Sequence, residues 1–395
     1  MYSGMAVRLS TSLGLHRALP EGSVVSARER EHRARLWWTV YIFDRSTCSK
    51  LGQPLTIQDT DIDVEMPSSD APVSGDQSAL GPADHLIAYI NLAQITGCIM
   101  RDIYAPSSKS NGTRFVQNVR TILQKLRKWD AHAPASLRWK AEGGVPRPVA
   151  SLQLHFNQCI ILATRPILLY ILKVKDPFGN HAPGSSDGGE PPQVSDTTKS
   201  LADSCIAAAR TSNNILTQLF VENALATCGY FDAHHLFSST LVLIISAITS
   251  PNASDSDAVQ TAFQLLRVMR DNGNAAAGQY FSRLVQIQWS VSRLFARTAA
   301  AEETRTSDNP PAPNASSDIT PPPNVPPSGS ADLDDYDWSN LLLPHSFYAN
   351  YDEVTARTIT ADPLDNPLLQ AFLEDTDVTM DESSVFQADQ MGFIL

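Results

Sequence analysis

Apolar residues recur at helical spacing in one segment after another up to about residue 300, with no persuasive strand of alternating spacing to compete. The clearest run is Phe115, Val116, Val119, Ile122, Leu123, Leu126 and Trp129, which follows the i, i+3, i+4, i+7 rule with Arg and Lys between. A second pattern opens at Ser26, where Glu29 suits a capping box, and runs through Leu36, Trp37, Val40, Tyr41, Phe43 and Leu51. It stops at Gly52 and Pro54. Further helices are expected at 2–13, 83–104, 148–172, 198–222, 232–248, 257–271 and 278–299. With no hairpin signal to compete, the fold class is all-α, a multi-helix bundle over residues 1–300.

Three stretches interrupt the periodicity. Residues 66–82 form a Pro/Ser/Gly/Asp loop, and residues 176–197 carry four glycines and four prolines, too many for a packed element, so a disordered loop is expected there. Residues 307–330 hold eight prolines and no aromatic residue, the core of a Pro/Ser-rich linker placed at 301–330. Beyond it, residues 331–395 carry 14 acidic residues against the single base Arg357, and read as an acidic, largely disordered candidate activation region. Residues 1–330 are then nearly neutral, with 28 acidic and 29 basic side chains. Neither part has the basic footprint of direct DNA binding. No N-terminal segment resembles a signal peptide, and the apolar run around Leu241–Ile248 is too short to span a bilayer, so a soluble protein with no membrane partner is expected.

Cys48, Cys98, Cys159, Cys205 and Cys228 lie at least 23 residues apart with no C-x₂-C pair, so they build no zinc finger and read as reduced thiols in a core. The sequons at Asn111, Asn252 and Asn314 therefore carry little weight. Asp59, Asp61, Asp63 and Glu65 alternate like the start of a calcium loop, but the glycine and glutamate such a loop requires are missing, which leaves capping and turn roles. His234 and His235 are neighbours and cannot both face one metal from one helix. Phosphate loops, nucleophile elbows and kinase signatures are absent, so no catalytic residue and no enzyme activity are expected.

One ordered set of motifs carries a resemblance. LGLHR at 13–17 is followed by EHRARLWWTVYIFDR at 31–45, LGQP at 51–54 and DTDIDVEMP at 59–67, and later by LRKWDAHAPASL, ATRPILL and CIAAAR. Together they resemble the fungal-specific transcription factor domain, the middle homology region of zinc binuclear cluster activators of the xylanolytic and proline-utilisation type. The resemblance covers roughly residues 1–300 and marks Gly14, His16, Arg35, Trp37, Trp38, Asp44, Arg45, Gly52, Pro54, Asp61, Pro67, Arg165 and Pro166 as motif residues with structural roles. It implies zinc-dependent, sequence-specific regulation of RNA polymerase II transcription in the nucleus. Because Met1 already falls within a helix of the homology region, the zinc cluster and earlier helices are expected to be missing. No cofactor is then expected in this chain, and DNA would be reached only through the missing domain or a partner. Other expected partners are a coactivator met by the acidic tail, a homo- or heterodimer, and a small-molecule effector. The alternative reading is a DNA-independent interaction protein that dimerises with a full-length regulator and modulates it.

The same residues have a physical reading of their own. Gly14 can take the left-handed conformation that closes a helix and folds Leu15 back. Adjacent Trp37 and Trp38 point about 100° apart, so both faces of their helix need cover, and the truncated N-terminus is expected to leave apolar surface exposed around them. Asp44 shares an arc with Trp37, Tyr41 and Cys48, and so needs a cation, with Arg8, Arg33 and Arg35 the candidates. Pro166 should kink its helix and free backbone carbonyls for Arg165 or Thr164 to satisfy. In the tail, Trp338, Leu341 and Leu342 stand at i, i+3 and i+4, a candidate activation stripe behind Asp332, Asp334, Asp335 and Asp337.

Overall fold

In the computed structural model, residues 2–20, 22–68, 81–105, 112–138, 146–175 and 194–306 are described, with Leu364 and Leu373. Helix ends fall where side-chain chemistry favours them. Helix α1 (Tyr2–Ser12) closes at Gly14, whose φ of +65° lets the Leu15 amide reach back to Ser10 O at 3.0 Å. Helix α2 (Ala27–Leu51) starts on Ser26, whose hydroxyl accepts from the Glu29 amide at 3.2 Å, and ends on Gly52 at φ +63°. Ser195 caps α6 (Asp196–Val221) in the same way. Asn252, one of the sequon asparagines, caps α8 (Ala253–Asp271).

The remaining helices are α3 (Asp84–Asp102), α4 (Gly112–His132), α5 (Arg147–Lys175), α7 (Tyr230–Thr249) and α9 (Ala275–Thr306). All the expected helices form, and among the described residues there is no strand. Helix α5 is the axis of the larger core. It lies along α6, which packs on α7, and α7 in turn meets α8 and α9. Helices α3 and α4 cover the other side of α5. A smaller core joins Leu15, Trp37, Trp38 and Tyr41 to Ile90 and Ala93 of α3. Both α5 and α7 are long and apolar enough to cross a membrane by length and composition, more than the Leu241–Ile248 run suggests. Their most apolar windows are 67% and 83% buried within the bundle, as befits core helices.

Buried carboxylates pin the helices to one another. Asp255 takes a two-pronged contact from Arg210, at 2.6 and 2.9 Å, and a bond from Ser246, tying α6, α7 and α8. Arg210 closes the CIAAAR motif, so that motif's base is spent on packing. Cys48, Cys159 and Cys205 are buried as expected, but Cys98 is half-buried and Cys228 exposed, the latter because it sits in the turn before α7. Burial pushes the Cys159 and Cys205 thiols up to about 12.

Two residues of the acidic tail belong to this fold. Leu364 and Leu373 are buried in the larger core, and Gln124 Nε2 donates to Leu373 O at 2.6 Å. The reading of residues 331–395 as largely disordered did not anticipate them. Residues 301–306, placed in the linker from sequence, instead continue α9, because their Ala- and Glu-rich composition favours helix; residues 307–330, Trp338, Leu341 and Leu342, and most of the loops at 66–82 and 176–197 lie outside the described residues.

Candidate functional site

The motif residues of α2 converge on one buried guanidinium. Arg45 is fully buried. Its Nη1 donates to Asp44 Oδ2 at 2.7 Å, and its Nη2 donates to Ile57 O at 2.8 Å and Asp59 Oδ1 at 2.7 Å. Its guanidinium carbon lies 4.2 Å from the centre of the Tyr41 ring, whose hydroxyl also donates to Asp59 Oδ1 at 2.7 Å. Asp44 is held in addition by the Thr56 hydroxyl and the Cys48 thiol. Burial beside the Asp44 carboxylate pushes that thiol up to about 11. Asp44 does find a cation, but it is its sequence neighbour rather than Arg8, Arg33 or Arg35. Adjacent helical side chains diverge, and the arginine is long enough to curl back across that angle.

This hub shapes what surrounds it. A Cβ placed on Gly97 of α3 would lie 3.2 Å from Arg45 Nε, so the absence of a side chain there lets α3 close on α2. Pro54 presents its carbonyl to the Cys48 thiol at 3.2 Å. Asp59, a carboxylate not singled out as a motif residue, is the one that reaches the hub. The marked Asp61 is exposed, in a short 3-10 turn at Asp59–Asp61. Of the other alternating positions, the Asp63 carboxylate accepts from the Ala18 amide at 2.8 Å, while Glu65 contributes its backbone carbonyl, which accepts from Trp38 Nε1 at 2.9 Å.

The tryptophans are covered, contrary to the expected exposure. Trp37 packs on the His16 ring, with centroids 5.5 Å apart, and Trp38 sits under the Glu65 backbone and edge-on to Tyr41. The loop through Pro67, itself buried, folds over them because the His16 carbonyl accepts from the amides of Asp63 and Val64. Arg35 secures that loop through Glu31, the Ser68 carbonyl and the Gly81 carbonyl. The exposed apolar surface lies instead on the outer face of α1, at Tyr2, Met5, Leu9 and Leu13, and at Leu36 and Phe43 of α2.

Pro166 sits inside α5, and the carbonyl it deprives is that of Leu162, four residues earlier. Neither Arg165 nor Thr164 satisfies it. The donor is the Tyr104 hydroxyl at 2.8 Å, with Arg165 Nη2 donating to that same hydroxyl at 3.2 Å, while Thr164 bonds Ile160 O. A side chain two residues beyond α3 has the reach to enter the gap, whereas Thr164, on α5 itself, is committed to its own preceding turn.

Asp44, Arg35 and the terminal nitrogens of Arg45 are matched to other side chains and to backbone, an arrangement suited to fixing helices, while His16 Nδ1, Trp37 Nε1 and Arg45 Nε are buried without a hydrogen-bond partner. Among the described residues no group of three His, Cys, Asp or Glu side chains could hold a metal, and the cysteine spacing does not fit a zinc cluster. Residues 1–131 match the model of the fungal specific transcription factor domain. The chain is 27% identical over 278 residues to an uncharacterised transcriptional regulatory protein of Schizosaccharomyces pombe, covering 70% of this chain and 33% of that protein. It is 27% identical to the thiamine repressible genes regulatory protein thi1 of the same yeast, covering 66% of this chain and 31% of the relative. It is 24% identical to cutinase transcription factor 1 alpha of Fusarium vanettenii, over 66% of this chain and 27% of the relative. The chain therefore spans about a third of the length of the curated relatives it matches. No solved structure matches it. The part of the chain that is similar to the fungal specific transcription factor domain, residues 1–131, holds the Arg45 hub and its covering loop.

Proposed function

We propose that this chain is the helical regulatory region of a fungal transcription regulator acting in the nucleus, with the acidic tail contacting a coactivator. The observation that carries this reading is the Arg45 hub itself. The motif side chains with chemistry to offer are spent inside the bundle, and the relatives that align over two thirds of the chain are named regulators. DNA reading and zinc chemistry fall to another domain or a partner, since the cysteines here do not fit a cluster. The test is to fuse the full chain, and separately residues 331–395, to a heterologous DNA-binding domain in yeast and score a reporter. Activation by the tail that disappears with Trp338→Ala and Leu342→Ala together supports the reading, and silence from both fusions overturns it.

The exposed α1 face, Tyr2, Met5, Leu9 and Leu13, favours a second reading as a partner for another regulator. Sedimentation of the parent beside Met5→Asp with Leu9→Asp separates the two. Self-association that the double variant abolishes supports an interaction role for that face.

A further inference from the structure

Helices α3 and α4 pack on each other, and the groove between their outer edges has a volume of about 550 Å³. On α3 its wall follows one helical stripe, Asn91, Gln94 and Cys98 at i, i+3 and i+7. On α4 it follows Lys125, Lys128 and His132 at the same spacing. Ile95 and Trp129, both buried, form the floor, and the indole N–H is spent on Ala88 O at 3.0 Å. The rim is largely uncommitted. The Asn91 and Gln94 amides and the Lys128 ammonium have no hydrogen-bond partner among the described residues.

At one end of this groove a nucleophile meets a cation. Lys125 Nζ donates to Cys98 Sγ at 3.2 Å, the one described contact of that ammonium. Arg101, three residues beyond Cys98, is raised above the usual guanidinium value first by its bond to Asp102 and further by the Cys98 sulfur. Asp102 offsets much of that second charge, which leaves Lys125 the main influence on the thiol. The other four cysteines are placed differently. Cys48, Cys159 and Cys205 are sealed in the core, where burial pushes them up to about 11, 12 and 12. Cys228 is exposed, but its thiol donates to Asn272 O at 3.4 Å, with no cation among its described contacts. Cys98 alone joins a cation at hydrogen-bond distance to partial exposure on a cavity, the setting in which thiols react.

We propose that Cys98 is a covalent attachment site for an uncharged aryl α,β-unsaturated carbonyl compound seated in the groove between α3 and α4. The aromatic body lies on Ile95 and Trp129, and the carbonyl oxygen accepts from Lys125. The Cys98 thiol gives its proton to water, and the sulfur electron pair forms a bond to the β-carbon. The π pair of the double bond moves toward the carbonyl oxygen as an enolate. The Lys125 ammonium protonates that enolate at the α-carbon and recovers a proton from water. One thiol adds across one double bond, so nothing leaves and no oxidant or reductant is needed. The surroundings select the class. The ammonium and the free amides suit a carbonyl oxygen, and the apolar floor suits a ring. A carboxylate on the ligand would pair with Lys125 and draw the ammonium away from the sulfur.

The experiment treats the full chain at neutral pH with limiting N-phenylmaleimide and, in parallel, N-methylmaleimide, and follows adducts by intact mass and peptide mapping. Cys98 is expected to be modified before Cys228 despite its lower exposure. With Cys228 as the internal reference, the phenyl reagent should outpace the methyl one at Cys98. Lys125→Met should slow the Cys98 reaction by about tenfold, the attraction of two unit charges at this spacing in water, and Lys125→Arg should restore most of it. Asn91→Phe, which fills the groove, should erase the phenyl advantage and leave the methyl rate unchanged. Lys125 and Asn91 both lie outside the core, so these variants are expected to fold. The proposal is overturned if Cys228 reacts first, if Lys125→Met matches the parent, or if no phenyl advantage exists or it survives Asn91→Phe. Because the readout is mass alone, such a failure leaves the regulatory reading standing.

Discussion

The Tyr104 hydroxyl donates to the Leu162 carbonyl, the one backbone acceptor that Pro166 strips of its helical partner. Tyr104→Phe keeps the ring and removes only that donor, and should cost about 1–3 kcal/mol by leaving a buried carbonyl unsatisfied. In a Pro166→Ala background the new backbone amide can serve Leu162, so the same change should cost much less. Urea denaturation of the four proteins closes the cycle. An equal loss in both backgrounds would mean that Tyr104 acts through packing alone.

Gly97 stands where α3 crosses Arg45, and Arg45 is held at both terminal nitrogens. A Cβ 3.2 Å from Nε meets a group that cannot step aside without breaking one of those bonds. Gly97→Val is expected to destabilise by about 1–3 kcal/mol through overpacking. Arg45→Met should relieve part of that, and a Gly97→Val melt equal to the parent's would show that α3 has room to spare.

Asp44→Ala removes one of the two carboxylates that pair with buried Arg45, leaves Asp59 as its remaining countercharge, and should cost up to about 3 kcal/mol, while Asp44→Asn, which keeps an acceptor for Thr56 and Arg45, should cost less. Pairing Asp44→Ala with Arg45→Met removes both charges and is expected to recover much of the loss. Urea midpoints that rank the alanine and asparagine variants equally would argue against charge as the cause.

How these features could be read from sequence divides by range. Ser26, Gly14 and Gly52 declare helix ends because a cap is chemistry between residues three to six apart. The Arg45–Asp59 contact spans a turn whose path no local rule supplies, and the Asp44–Arg45 pair is hidden because neighbours on a helix point apart. Tyr104 has no motif at all. It lies 58 residues from the carbonyl it serves, and only the fold of α3 against α5 brings the two together.

Acid should loosen the bundle before the carboxylates titrate. Burial pushes His155 down to about 3 and holds His234 and His235 well under their usual value, with the Lys50 charge adding to each. These groups are neutral in the fold but bind protons in the unfolded chain below about pH 6.5, so their contribution is complete above that pH and declines as pH falls. Each can contribute a slope of up to about 1.4 kcal/mol per pH unit. Lys50 acts with the same sign in a separate window, costing stability as pH falls from 10.5 toward about 8. Urea midpoints should fall between pH 6.5 and 5, and His235→Phe should make that decline shallower by about one proton. A flat profile there would show the imidazoles to be solvated.

Leu364 and Leu373 complete a core whose other members all lie before residue 285, which makes this a fold of very long contact order at its final step. Once α9 has formed, joining Leu373 to Gln124 still closes a stretch of about 67 residues, at an entropic cost on the order of 4 kcal/mol. Burying two leucines returns about 1.5–3 kcal/mol each, so the attachment sits near balance and opens far more readily than the bundle melts. During synthesis the patch around Gln124 leaves the ribosome some 250 residues ahead of its cover, and it stays uncapped until that cover emerges.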